Sequence, residues 1–121
     1  MADTRDVLSR LEAYEKKIGV GFFEDWSLDL YPQAMVFPDG SILTYAVLPD
    51  EICVGPCSGN VKEMISYTKM LCKMAGIHKF SCTTIHNPKA FGRLTKMKLV
   101  KVEPEPDEYG KTVYDFEMEV V

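Results

Sequence analysis

Apolar residues recur along this chain with two different periods, and the changes of period mark its elements. Val7, Leu8, Leu11, Tyr14 and Ile18 stand three and four residues apart, with Asp3 or Thr4 available as N-cap and Gly19 and Gly21 just past the end. That is the spacing of one helix face, so a helix is expected over Asp3 to Ile18. From Phe22 to Pro32, Trp26, Leu28, Leu30 and Tyr31 are mixed with acids in no single period. A loop with a short turn of structure is expected there.

Extended segments follow at Ala34 to Phe37, Ile42 to Leu48 and Ile52 to Val54, separated by Pro38-Asp39-Gly40 and Pro49-Asp50-Glu51. Proline presets the first central position of a turn, and Asp or Gly closes it, so these are read as adjacent antiparallel strands. After the loop Gly55-Pro56-Cys57-Ser58-Gly59, the residues Val61, Met64, Ile65, Thr68, Leu71, Cys72 and Ala75 return to helical spacing. Asn60 is the expected N-cap, Glu63 completes a capping-box-like start, and Gly76 ends the helix. Met64, Ile65, Leu71 and Cys72 should face the sheet, leaving Lys62, Lys69 and Lys73 in solvent.

Lys79 to Ile85 reads as a strand with Phe80, Cys82 and Thr84 on one side. Asn87-Pro88 then supplies N-cap and N1 of a short helix that should carry Ala90, Phe91 and Leu94 inward. Two strands close the chain, Leu99 to Val102 and Thr112 to Val121, the second alternating Tyr114, Phe116, Met118 and Val120 with Asp115, Glu117 and Glu119. A strand, helix, strand unit joins its strands in parallel, so Lys79 to Ile85 should run parallel to Ile52 to Val54.

Composition narrows the class. A chain of 121 residues suits one core and has too little material for two. One domain over 1–121 is expected, with a helix and loop at 1–33 and the core at 34–121. Apolar residues make up 46% and charged residues 26%, values of an ordinary globular protein. Charges at Asp3, Arg5, Asp6 and Arg10 argue against a secretory signal, and no apolar run approaches the ~18 residues of a membrane span. A cytoplasmic protein is expected.

The net charge of −4 gives no general attraction for nucleic acid, which needs clustered cations to release counterions. Lys89, Arg93, Lys96, Lys98 and Lys101 form a local basic stretch that suits a phosphate, an acidic partner or solvent. Cys53, Cys57, Cys72 and Cys82 form no CxxC pair and read as buried free thiols. Cys82, His86 and His78 match no zinc spacing, so no metal is expected.

The element order from Ala34 to Val121 resembles the GNAT superfamily of acyl-CoA N-acyltransferases. The resemblance implies an α/β fold, a mixed but mostly antiparallel sheet with packed helices. In that family the loop before the central helix reads Gln or Arg, two residues, Gly, one residue, Gly or Ala, and its backbone holds the coenzyme A pyrophosphate at a helix N-terminus. Gly59 matches the first glycine, whereas Pro56 stands at the Gln/Arg position and Val61 at the second small position. Asn87 and Ala90 match the family's Asn and Ala at the following short helix. Seven residues after that Asn the family carries a proton-donating tyrosine, and Leu94 stands there.

By this resemblance Gly59, Asn60, Val61, Lys62 and Asn87 are the cofactor-binding positions, and acetyl-CoA or CoA is the cofactor if the chain is an enzyme. Glu51 and His86 are candidate bases, and Tyr67 and Tyr114 candidate acids. The losses at Pro56, Val61 and Leu94 favour a diverged, non-catalytic protein acting through protein contacts, with itself or with virion proteins, of the kind encoded by tailed phages. An N-acetyltransferase with an atypical CoA loop is the alternative.

Overall fold

The structure, a computed structural model, describes residues 3–120. Its elements are α1 (Thr4–Ile18), α2 (Phe22–Asp25), β1 (Gln33–Val36), β2 (Ile42–Val47), β3 (Ile52–Ser58), α3 (Val61–Ala75), β4 (Lys79–Thr84), α4 (Pro88–Thr95), β5 (Lys98–Val102) and β6 (Tyr114–Glu119). Val121, the end of the expected last strand, lies outside the described residues. The six strands form one sheet in the order β1-β2-β3-β4-β6-β5. All neighbours are antiparallel except β3 and β4, which are parallel as the strand, helix, strand reading requires.

The helix ends follow the capping residues. Asp3 Oδ1 accepts from Arg5 N at the start of α1, and Asn60 Oδ1 accepts from Glu63 N at the start of α3. Asn87 Oδ1 accepts from both Lys89 N and Ala90 N, with Pro88 in the first helical turn, so Asn87 serves α4 as its cap. α1 and α3 stop on Gly19 and Gly76 in the left-handed conformation.

Two apolar clusters lie on opposite faces of the sheet. The larger gathers Leu43, Ile52, Phe80 and Phe116 from the strands with Met64 and Cys72 of α3. The smaller joins Tyr14 of α1 and Phe22 of α2 to Ile42. Ile65 and Leu71 pack at the margin of the larger cluster and are half-buried rather than enclosed, while Lys62, Lys69 and Lys73 are exposed as expected.

Two local readings are corrected, and the short turn of structure expected after Phe22 takes a definite form. Phe22–Asp25 is a helical turn, anchored because Phe22 is driven into the smaller cluster. Gly55 to Ser58 continues β3 rather than forming a loop. In α4 Phe91 and Thr95 turn inward, the Phe91 ring 4.8 Å from that of Phe116, while Ala90 and Leu94 are exposed because an eight-residue helix at the sheet's edge has a narrow buried stripe. The cysteines are all free, with Cys72 buried and the other three half-buried.

Candidate functional site

The sheet contains an opening, and the local sequence of β3 explains it. Leu43 pairs with Cys57 and Tyr45 with Val54, so Gly55 and Pro56 together stand opposite the single residue Thr44. This is a bulge, which bends the strand that carries the extra residue. Thr44 Oγ1 donates to Pro56 O at 2.7 Å and fixes it. On the other side β3 pairs with β4 only at Ile52, Cys53 and Val54, opposite Phe80, Ser81 and Cys82. Beyond that point the two parallel strands diverge.

A cavity of about 600 Å³ fills the gap. Its walls are Val54 to Ser58 of β3 and Cys82 to His86 at the end of β4. On one face of the sheet it is bounded by Met64, Ile65 and Thr68 of α3 and Phe91 and Leu94 of α4. On the other it is bounded by Arg10, Tyr14 and Lys17 of α1, with Asp25 and Tyr31. Asp107, Tyr109 and Lys111 of the β5–β6 loop complete the rim, and Lys111 Nζ donates to Ile18 O at 3.1 Å, tying that loop to the end of α1. The cleft therefore reaches both faces of the sheet.

Cys57, Cys82, Tyr14, Tyr31 and His86, all of which line the cleft, are shifted toward their neutral forms. Burial pushes the Cys57 thiol up to about 11 and the Cys82 thiol up to about 12, with Cys57 and Asp115 adding to the latter. Burial raises Tyr31, and burial together with the hydrogen bond to Asp25 raises Tyr14 far above a phenol's usual range. His86 is shifted downward, first by burial and then by Lys17 and Lys111, so its imidazole is neutral at pH 7. The His86 ring stacks on Phe91 with centroids 6.5 Å apart.

At the start of α3, Asn60 N donates to the hydroxyl of the fully buried Ser41 at 2.9 Å. Gly59 has φ +128°, and a Cβ there would fall 2.1 Å from Ser41 Oγ, so glycine is required on two counts. Glu63 N is taken by the Asn60 side chain. Val61 and Lys62 thus keep the first-turn N–H groups for which the described residues supply no acceptor. The anion-binding capacity read from Gly59 to Lys62 is correspondingly smaller, since Asn60 N–H is already engaged.

Of the proposed acid–base residues, only His86 lines the cleft. Glu51 lies at the opposite, closed end of β3, where it pairs with Lys79 at 3.5 Å and accepts from Cys53 Sγ. Tyr67 projects from α3 toward Phe37 and Tyr45, its hydroxyl 3.4 Å from that of Tyr45. Tyr114 packs in the larger core opposite Thr84. Glu51 is displaced along the strand direction, whereas Tyr67 and Tyr114 are displaced because a helix or strand position fixes which way its side chain points. Pro56 likewise sits in the bulge of β3, where its missing N–H affects strand pairing rather than the turn before α3. Asn87 is occupied as a cap.

Sequence reasoning missed Asp25 and Tyr31, which come from the segment without a period, and Tyr14, which was legible only as an apolar-face residue. Gly55 was a usable signal, because a Cβ there would lie 2.5 Å from the Tyr31 ring. Among the described residues no three His, Cys, Asp or Glu side chains gather as a metal site, and no helix is long and apolar enough to cross a membrane.

No family model matches the sequence, and no curated protein is similar to it by sequence. Solved structures do match. Ard1 from Thermoplasma volcanium superposes with a TM-score of 0.71 at 13% identity, covering 98% of this chain and 94% of that one. An aminoglycoside 6'-N-acetyltransferase complexed with coenzyme A gives 0.62 at 13%, covering 96% and 90%. The ribosomal-protein-S18-alanine N-acetyltransferase from Escherichia coli gives 0.55 at 9%, covering 98% and 90%. The chain has the GNAT fold.

Proposed function

We propose that this chain is an N-acyltransferase that binds an acyl-CoA-type thioester in the cleft between β3 and β4. The observation that carries the reading is the cleft's passage through the sheet, because group transfer between two molecules needs a donor and an acceptor to meet from separate entrances. The α3/α4 face offers the donor side, where the Val61 and Lys62 N–H groups suit a phosphate at a helix N-terminus. The fit is partial, with two donors free instead of a full loop. Bound there, the thioester supplies an activated acyl group. The acceptor amine enters from the α1/α2 face.

His86 can close the proton balance alone. As a neutral imidazole it takes the proton from the attacking amine as the N–C bond forms, then returns it to the departing sulfur as the C–S bond breaks. A base whose environment disfavours its charged form is a strong acid once protonated, which relieves the chain of a separate acid at Leu94. Calorimetric titration with CoA and acetyl-CoA, followed by an acetylation assay against a panel of amines, tests the reading. Binding in the micromolar range with His86-dependent transfer supports it, and absence of binding at millimolar ligand overturns it.

A second reading is favoured by Leu94, which is 53% exposed on the cleft wall, and by the engagement of Asn60 N–H. On that reading the fold is kept without transfer, and the protein works by protein contacts, a virion being one setting. Absence of CoA binding would leave this reading standing.

A further inference from the structure

The sheet ends at β5, and every residue from Lys98 to Val102 is exposed. On its inner side this strand is sorted chemically against β6: Lys98 stands opposite Glu117 and Lys101 opposite Asp115, while Leu99 faces Phe116 and Val102 faces Tyr114. The register shift between Leu99 and Lys101 makes Val100 an extra residue. Without it Lys101 would fall on the face of Leu99. The bulge therefore keeps both lysines on one face and both apolar side chains on the other. The outer edge of β5 presents the same arrangement with no strand beside it.

α4 adds to this edge. Lys89, Arg93 and Lys96 are exposed, and neither they nor Lys98 lie within ion-pair distance of a carboxylate among the described residues. Lys96 is the only non-glycine residue there with positive φ, at +64°. It ends α4 where α1 and α3 use glycine. A cation is thus held at a backbone position that glycine would occupy with less strain. Leu94 lies exposed on the same helix.

We infer that the α4–β5 edge is a docking surface for an extended acidic segment of another protein, one in which carboxylates alternate with apolar side chains. The inner edge of β5 already stands in register against an alternation of this kind, the Asp-Phe-Glu of β6, and its outer edge, with Lys98 free of any ion pair among the described residues, fits the same alternation. A second copy of β5 would set lysines against lysines, and lysines and bulges at an edge oppose such self-pairing. Nucleic acid is disfavoured by the net charge of −4 and by the apolar strip of Leu99 and Val102 beside the cations.

The test uses a fluorescein-labelled peptide with the sequence of residues 113–120 of this chain, titrated with the intact protein and read by fluorescence anisotropy at two salt concentrations. A peptide with lysine at its three acidic positions and a single-stranded oligonucleotide are run beside it. The acidic peptide is expected to bind, to weaken with salt, and to lose about tenfold or more in affinity to K98E/K101E. K96G is expected to bind it more weakly while its thermal midpoint holds or rises, which separates docking from a structural role and keeps the test open should the double variant fail to fold. The proposal is overturned if the acidic peptide does not bind at millimolar protein, if the lysine peptide binds equally, or if the oligonucleotide binds more tightly. It is equally overturned if K96G keeps full affinity, or if sedimentation shows a dimer that K98E/K101E abolishes.

Discussion

β3 and β4 behave differently at their two ends, although they are the same pair of strands. At the closed end Ile52 pairs with Phe80, both enclosed in the core, and Lys79 bridges Glu51 and Glu117 at 3.5 and 3.0 Å. Three residues on, the Gly55-Pro56 bulge breaks the register, and the strands part around a cleft whose walls include the neutral Cys57, Cys82 and His86. The difference shows how rigidity and access are obtained from one ladder. Continuous apolar residues hold it shut, and a glycine and a proline, which cannot continue regular pairing, let it open.

The contrast is tested most severely at the closed end. Phe80→Ala should cost about 3–5 kcal/mol in denaturant unfolding, as for a large enclosed aromatic. A loss below about 1 kcal/mol would mean that the closed end is not what holds the strands together.

At the open end His86→Gln should lower acyl transfer by about 10²–10⁴-fold while leaving the unfolding midpoint nearly unchanged. The sign of the pH effect follows from the downward shift of His86. Because the folded state prefers the neutral ring, stability associated with it is present above the ordinary histidine pKa of about 6.5 and is lost as pH falls through the lower folded value. Transfer should fall across the same acid limb, and His86→Gln should abolish both dependences. A rate that declines only on the alkaline side would remove His86 as the base.

Gly59→Ala should destabilise by about 1–3 kcal/mol, from the forbidden backbone angle alone, and should weaken CoA binding as Ser41 is displaced. Equal stability and equal binding would show that the Ser41 contact is dispensable. The smallest effect is expected at Leu94. Leu94→Tyr should change stability by no more than about 0.5 kcal/mol, since the side chain is half in solvent. It should raise transfer by less than tenfold if His86 already carries the proton both ways. A hundredfold gain would instead identify a missing acid.

How much of this was legible follows from where the signals are local. The caps at Asn60 and Asn87, the face of α3 and the alternation of β6 depend on neighbours in sequence, and the parallel pairing of β3 with β4 follows from the intervening helix. Gly55 to Ser58 reads as a loop because glycine and proline normally end a strand, and only pairing with β2 twelve or more residues away keeps it extended. The role of Asp25 and Tyr31 depends on α1, α2 and β3 converging, which no spacing announces. Glu51 and Tyr67 were plausible by type, and the structure places Glu51 at the closed end of β3 and Tyr67 against Phe37 and Tyr45, both away from the cleft.

The strand order carries a consequence for synthesis. β6 lies between β4 and β5, yet it is the last of the six to leave the ribosome. Until it does, β4 has one unpaired edge and β5 has none of its neighbours, so the nascent chain exposes two open ladders whose closure awaits residues 114–119. The first three strands and α3 can assemble as the chain emerges, whereas the sheet as a whole is completed only after translation has passed its final element. Ribosome stalling within the β5–β6 loop should therefore leave a species prone to aggregation, one that chaperones would engage through strands the finished molecule conceals.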